Sequence, residues 1–327
     1  MTEELVLTRD NYPLSRPTPG SSMAHFAINC TTELPDQVRE YVQASLSENT
    51  RRAYLSDLAH FQAWGGRTPA SDVVVASYLA AHAERLSVAT LSRRLAAIAK
   101  AHGAAASNPA RSPLVKATMR GIMRRHKAPP RQAKPLLRDE LFAVLAQTGT
   151  DLKDVRDRAL LLVGFAGGFR RSELVGLDKE DIEMVKEGLV IHLRRSKTDQ
   201  CGTGRQVAIP FGRTRWCAVA ALSEWLHRSE IESGALFRRI DRHGHLLARL
   251  SGEAVSLVIR SWLAAAGMAV DGYSGHSLRA GFATSAAQAG LNECEIRRQT
   301  GHASPSVLAT YIRQQDLFAG NPVSSLL

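Results

Sequence analysis

Apolar residues along the chain switch between a helical and an alternating period, and the switches divide it into segments. Residues 1–34 hold no sustained period, and Pro13, Pro17, Pro19 and Gly20 stand there among serines and threonines, the composition of an extended arm. Beyond Pro35 the spacing becomes helical. Tyr54, Leu58, Phe61 and Trp64 recur three or four apart, which predicts a helix capped by Asn49 or Thr50. Helices are expected over 72–84 and 88–102. In the second, Leu91, Leu95, Ile98 and Ala99 form the inner face and Arg93, Arg94 and Lys100 the outer one. A further helix is expected over 113–125.

Pro129, Pro130 and Pro135 then interrupt the pattern, because proline lacks the amide hydrogen a helix interior needs. This places a helical domain at 35–126, a basic linker at 127–136 and a second domain at 137–327. The second domain is expected to open with helices at 138–147 and 154–165 and to turn at Gly167-Gly168. It continues with a hairpin of strands 188–193 and 206–210 around a turn containing Asp199, Gly202 and Gly204. The remainder reads as helical, over 214–228, 252–266, 276–289 and 292–300. Gly301 suits the left-handed position past a helix end, and Ser304-Pro305 suits the start of another. Tyr311 falls two turns into that last helix. The fold class is therefore mainly α with a small β-hairpin or sheet, in two domains.

Charge changes the picture most. The chain of 327 residues has 42 Lys and Arg against 31 Asp and Glu, a net charge of +11, and is 44% hydrophobic, as a folded protein should be. The excess is concentrated: the 54 residues from Arg85 to Arg138 hold 13 Lys or Arg and no Asp or Glu. Such a segment points to a polyanionic partner. Arg51 and Arg52 at a helix start, with Arg93, Arg94, Lys116, Arg120 and Arg124, are the candidates for phosphate contact.

Other classes recede. The apolar run from Ala159 to Phe169 is about half of the ~20 residues a membrane span needs, and the N-terminus has no basic-then-apolar signal pattern. Cys30, Cys201, Cys217 and Cys294 form no CxxC pair. His243 and His245 flank Gly244 in a polar stretch that reads as a loop rather than a metal site. No metal, cofactor or membrane is expected, and the expected setting is a cytoplasm.

Four pieces of the second domain carry chemistry: Gly168-Phe-Arg-Arg-Ser-Glu-Leu174, Arg195-Ser-Lys-Thr198, His276-Ser-Leu-Arg279, and Thr300-Gly-His302 followed by Thr310-Tyr311. In order and spacing they resemble the tyrosine recombinase (phage integrase) family. The segment Ile191-His-Leu-Arg-Arg-Ser-Lys-Thr198 is similar to the hairpin of Cre-type members, and Glu48-Asn-Thr-Arg-Arg-Ala-Tyr54 with Asp57, Phe61 and Trp64 resembles the family's core-binding domain.

The resemblance implies a two-domain DNA clamp in which Tyr311 attacks a phosphodiester, leaving a 3′-phosphotyrosyl link and a free 5′-hydroxyl. The residue types suit a reaction run without metal or ATP. Arg170 and Arg279 donate fixed N–H bonds to phosphate oxygens that gain charge, and His302 adds a donor. A tyrosine hydroxyl has a pKa of about 10, so attack needs a base, for which His276 is the candidate. Lys197 on the hairpin is the candidate acid for the departing 5′-oxygen. Glu173, three residues after Arg170, is implied to be a supporting carboxylate.

Each has a plainer reading. Tyr311 alone would be a packing tyrosine, Arg171 competes with Arg170, and Arg194, Arg195 and Arg205 compete with Lys197. The resemblance further implies a homotetramer on two double-stranded DNA sites, a Holliday junction intermediate, and a nucleoid setting in a prokaryote or its phages and plasmids. It also implies a tail, with Leu317, Phe318, Val323, Leu326 and Leu327, that packs on a neighbouring protomer or in cis. A catalytically silent DNA-binding protein and a type IB topoisomerase-like enzyme are the alternatives; relaxation of supercoiled DNA without a specific site separates the latter.

Overall fold

The computed structural model describes residues 35–103, 108–126, 132–194 and 204–302. The chain divides into two compact units, residues 1–130 and 131–327. Among the described residues no helix is long and apolar enough to cross a membrane.

Unit 1 is helical: α1 (Asp36–Ala44), α2 (Glu48–Ala63), α3 (Asp72–Ala81), α4 (Val88–Ala101) and α5 (Pro113–Arg125). Its helix starts follow one device. Ser47, Ser71, Ser87 and Ser112 each accept a hydrogen bond from the backbone N–H three residues on, satisfying a donor that the helix leaves open. The cap of α2 is thus Ser47 rather than Asn49 or Thr50, which already lie inside the first turn. Phe61, Tyr78, Leu79, Leu91, Ile98 and Val115 close the core.

Unit 2 begins with α6 (Arg138–Leu145), α7 (Leu152–Ala166) and the short α8 (Arg171–Gly176). An antiparallel sheet of β1 (Ile182–Val185), β2 (Gly188–Leu193) and β3 (Arg205–Pro210) follows. The expected hairpin is β2 with β3, in a register that pairs Leu193 with Arg205 and Ile191 with Val207. β1 was not expected. Its side chains are not fully buried at any position, so it lacks the apolar alternation that marks a strand.

After α9 (Ala218–Ser229) the expected run of helices is broken by a second antiparallel pair, β4 (Arg238–Ile240) and β5 (Leu246–Arg249). Two of three residues in β4 are arginines and β5 has no buried position, so neither shows the apolar alternation of a strand. Their turn is organised by Asp241, whose Oδ1 accepts the backbone N–H groups of His243 and His245 at 2.8 and 2.9 Å. Then come α10 (Gly252–Ala265), α11 (Ser277–Gln288) and α12 (Glu293–Thr300). The central helix α7 is buried along Leu160, Leu161 and Val163 and packs with Leu174, Leu222, Trp225 and Leu278 in one core.

Two glycines allow the close approaches that shape the site end of this unit. A Cβ on Gly281 would lie 1.8 Å from the Leu136 carbonyl oxygen, so α11 lies against the segment that precedes α6 only because no side chain intervenes. Leu136 N–H donates to Ser277 O at 3.0 Å in the same contact. Gly168 is left-handed, with φ 56°, and a Cβ there would meet Thr300 Cγ2 at 2.8 Å. The turn after α7 and the last turn of α12 are thereby brought together.

Candidate active site

Arg170 stands at the N-cap of α8 and Glu173 at its third position. One Glu173 oxygen accepts the Arg170 backbone N–H at 2.9 Å and the other accepts its guanidinium at 2.5 Å. A single carboxylate therefore caps the helix and aims the arginine. Glu173's side chain is 2% exposed. Burial alone would raise its pKa, but the two hydrogen bonds from Arg170 and the nearby Arg205 hold the carboxyl below its ordinary value. The other face of the Arg170 guanidinium donates to Gly301 O at 3.3 Å. Arg171 goes elsewhere. Its stem lies over Gly275, where a Cβ would come within 2.5 Å of it, and over Gly252, where a Cβ would be 3.1 Å from its Nε.

Arg279, in the first turn of α11, is buried. It donates through Nη1 to Gly168 O at 2.8 Å and to Thr300 O, and through Nε to His302 Nε2 at 3.2 Å. Thr300's hydroxyl donates to Ile296 O at 2.7 Å, so its contact with His302 Nδ1, also 2.7 Å, needs the proton on the ring nitrogen. His302 is then a neutral ring with Nδ1 protonated and Nε2 accepting from Arg279. Burial, followed by Arg279, Arg170 and Arg205, lowers its pKa to about 3.

Local sequence explains the placement of His302. Asn292 caps α12 by accepting from Glu295 N–H at 3.0 Å, and Gly301 ends the helix in the left-handed region with φ 66°. His302 follows at once, its carbonyl held by Arg297 Nε at 3.1 Å. His276 is the N-cap of α11, an exposed position three residues before Arg279. Its turn is fixed by Ser274 N–H donating to Ser277 Oγ and Gly275 N–H donating to Ser256 Oγ, each at 2.9 Å.

Arg170, Glu173, Arg279 and His302 thus meet around the Gly301 turn, with His276 at the head of the same helix as Arg279. Lys197 and Tyr311 lie outside the described residues. Arg205 joins the cluster: its Nη1 donates to Gln299 O at 2.7 Å, and its Nη2 is 3.5 Å from Glu173 Oε2. Sequence reasoning named it only as a rival to Lys197 and began the strand one residue later, at 206, whereas Arg205 is the first residue of β3. Arg194, another rival, pairs with Asp181 at 2.6 Å.

In unit 1 the basic candidates separate. Lys116, Arg120 and Arg124 are exposed and follow one another at four-residue intervals on α5, opposite its buried Val115, Met119 and Ile122. Arg52 is exposed, and Arg51 pairs with Glu48 at 3.5 Å. Arg93 holds buried Asp57 through two bonds of 2.7 and 2.9 Å while its side chain stays 51% exposed. Arg94 turns inward, at 11% exposure, and donates to Tyr78 Oη at 3.0 Å. It faces the helix core side rather than the outer face expected of it.

Residues 134–317 match the model of the phage integrase family, and residues 40–108 match that of the phage integrase N-terminal SAM-like domain. An integrase/recombinase xerD homolog of Selenomonas ruminantium is 36% identical over 302 residues, which cover 89% of each chain. Among solved structures, the Tn1549 transposon integrase in complex with transposon right end DNA has a TM-score of 0.60 at 15% identity, covering 89% of this chain and 97% of that one. A lambda integrase tetramer bound to a Holliday junction has a TM-score of 0.56 at 16% identity, covering 83% and 74%. These two bear on the fold alone. With one family model spanning more than half of the chain and a relative more than one-third identical across most of it, this chain belongs to the phage integrase family and is a site-specific tyrosine recombinase, an enzyme that breaks and rejoins DNA strands.

Proposed function

We propose that the enzyme cleaves each strand by attack of Tyr311 on the phosphodiester, forming a 3′-phosphotyrosyl link and releasing a 5′-hydroxyl, and that exchange passes through a Holliday junction without metal or ATP. The observation that carries this reading is the convergence of Arg170 and Arg279 on one turn. Two permanently charged forks meet beside a neutral histidine, with one buried carboxylate to set one of them. The cluster retains net positive charge. It suits a phosphate whose non-bridging oxygens gain negative charge during attack.

Geometry supports the roles given to Arg170, Glu173, Arg279 and His302, and motif resemblance those given to His276, Lys197 and Tyr311. Arg170 and Arg279 bind the non-bridging oxygens. Glu173 orients Arg170, and His302, with Nδ1–H turned to Thr300 and Nε2 accepting from Arg279, orients Arg279 rather than adding a donor to the phosphate. His276 takes the Tyr311 proton as base, and Lys197 protonates the leaving 5′-oxygen. The phosphotyrosyl bond conserves the energy of the broken linkage, so the free 5′-hydroxyl of another strand can reverse the step.

Each unit supplies its own basic surface to duplex DNA. In unit 1 the exposed row Lys116, Arg120 and Arg124, with Arg51, Arg52 and Arg93, contacts phosphates, and Arg94 supports Arg93 from beneath. Residues 127–136 act as the linker and 1–34 as an arm. The assembly is a homotetramer on two sites, as lambda integrase forms on a Holliday junction. The experiment incubates the full-length protein, with chelator present, and a nicked suicide substrate built from inverted repeats flanking its gene. A covalent protein–DNA adduct is the expected product; its absence while the same DNA is bound, or its dependence on added divalent metal, contradicts the reading.

A further inference from the structure

Arg205 is not explained by the roles above. It opens β3, directly after Gly204, whose φ of 65° no bulky residue adopts readily and where a Cβ would meet Leu193 O at 2.8 Å. Paired with Leu193, Arg205 closes the loop end of the β2–β3 ladder, the root of the segment that connects the two strands. From that root its side chain crosses to a different part of the fold. Nη1 donates to Gln299 O in the last turn of α12, Nη2 approaches Glu173, and a Cβ on Gly301 would lie 2.8 Å from Nε. The side chain is only 20% exposed.

A third arginine beside Arg170 and Arg279, sharing one carboxylate, is poor design for stability alone. Burying an incompletely compensated cation is costly, and an apolar side chain of similar volume would close the same gap without that cost. What an arginine adds is a rigid fork that holds two elements at once. The elements here are the hairpin on one side and the Gln299–His302 turn with Glu173 on the other. By chain continuity Lys197 precedes Arg205 by eight residues and Tyr311 follows His302 by nine.

We propose that Arg205 is a positioning residue that ties the root of the Lys197 hairpin to the turn carrying His302, so that the acid reaches the leaving oxygen of the same phosphate that Arg170 and Arg279 hold. This rests on the functional reading above. Geometry of this kind is steep: a displacement of about 1 Å at a reacting group costs up to about a hundredfold in rate. The neighbours have the complementary property. Gln299 is itself held by Nε2 donating to Ala166 O at 2.9 Å and to Ala208 O at 3.1 Å, the second on β3. The turn and the strand therefore have a further direct link, which lets the fold survive loss of Arg205 while the fork's finer alignment is lost.

The test compares full-length wild type, Arg205→Gln and Arg205→Lys on two nicked suicide substrates, one with the ordinary 5′-oxygen at the scissile bond and one with sulfur there, which departs without protonation. Thermal melting confirms that the variants fold, and DNA affinity is measured alongside. Arg205→Gln is expected to form adduct about ten to a hundred times more slowly on the oxygen substrate, with affinity within about threefold, and to recover most of that loss on the sulfur substrate. Arg205→Lys keeps the charge and one donor, and is expected to fall between. If Arg205→Gln does not fold, the oxygen-to-sulfur rate ratio of Arg205→Lys decides. Equal slowing on both substrates would mean a structural role for Arg205 and overturns the inference, as would wild-type rates on both. If wild type itself forms no adduct on either substrate, the functional reading fails instead.

Discussion

The Nε of Arg279 donates to Nε2 of His302 across 3.2 Å, while Thr300 fixes the ring from its other nitrogen. The histidine that follows the α12 glycine is therefore committed as an acceptor toward an arginine. On the proposed reading, it keeps the Arg279 fork in plane for a phosphate. His302→Ala should slow adduct formation by about ten to a hundredfold through misalignment of that fork and leave DNA affinity nearly unchanged. His302→Gln, which retains an acceptor, should recover part of the rate. Single-turnover cleavage and a binding titration separate the two effects; an equal loss in both variants contradicts the role.

The same environment sets a pH dependence. His302 has its pKa lowered from 6.5 to about 3 by burial and by Arg279, Arg170 and Arg205. Between these values the unfolded chain binds a proton that the folded chain refuses, so stability falls as the pH drops from 6.5 toward 3 and is fully present above 6.5. Denaturant unfolding of the His302→Gln variant should show a shallower loss over that window than wild type. An unchanged slope would show that the ring does not titrate this way.

Lys116, Arg120 and Arg124 form an exposed row on α5. If all three meet phosphates, replacing them singly with alanine should each reduce the slope of log affinity against log salt by about 0.9, with similar weakening on specific and unrelated duplexes. Arg94, turned inward to Tyr78, should behave differently and lower the melting temperature of the protein. A salt slope unmoved by the α5 substitutions removes that helix from the DNA surface.

Gly281 sits where α11 crosses the Leu136 backbone, and a Cβ there would be 1.8 Å from the carbonyl oxygen. Gly281→Ala should destabilise the protein by about 3 kcal/mol, as overpacking against backbone does. Because α11 carries Arg279, cleavage should fall with it. Melting curves and single-turnover cleavage of the variant check both; a wild-type melting temperature would show that α11 moves aside freely.

Much of the architecture was legible because single residues announce it. Gly301, expected past a helix end, adopts the left-handed conformation there, and the 113–125 helix begins at the proline and ends at the arginine that the spacing indicated. The β2–β3 hairpin was visible from its alternating apolar residues. β4 and β5 were not, since Arg238, Arg239 and Arg249 carry no apolar period and the pair is held by backbone bonds and by Asp241 in the turn. Motif order brought Arg170, Glu173, Arg279 and His302 into one candidate site, and they do meet. Spacing does not reveal direction, however. Arg93 and Arg94 are adjacent on a helix, yet one side chain is half-exposed and the other is drawn in by Tyr78, a partner distant in sequence. Arg205 was obscured for the same reason, because its partners lie on α8 and α12 rather than on its own hairpin.

The central claim is that Tyr311 becomes joined to DNA. The direct measurement is adduct formation by Tyr311→Phe on the nicked suicide substrate, beside wild type, with DNA binding measured in parallel. The account predicts that the variant binds with wild-type affinity and forms no covalent adduct. An adduct that persists in the Phe variant contradicts it and requires another nucleophile.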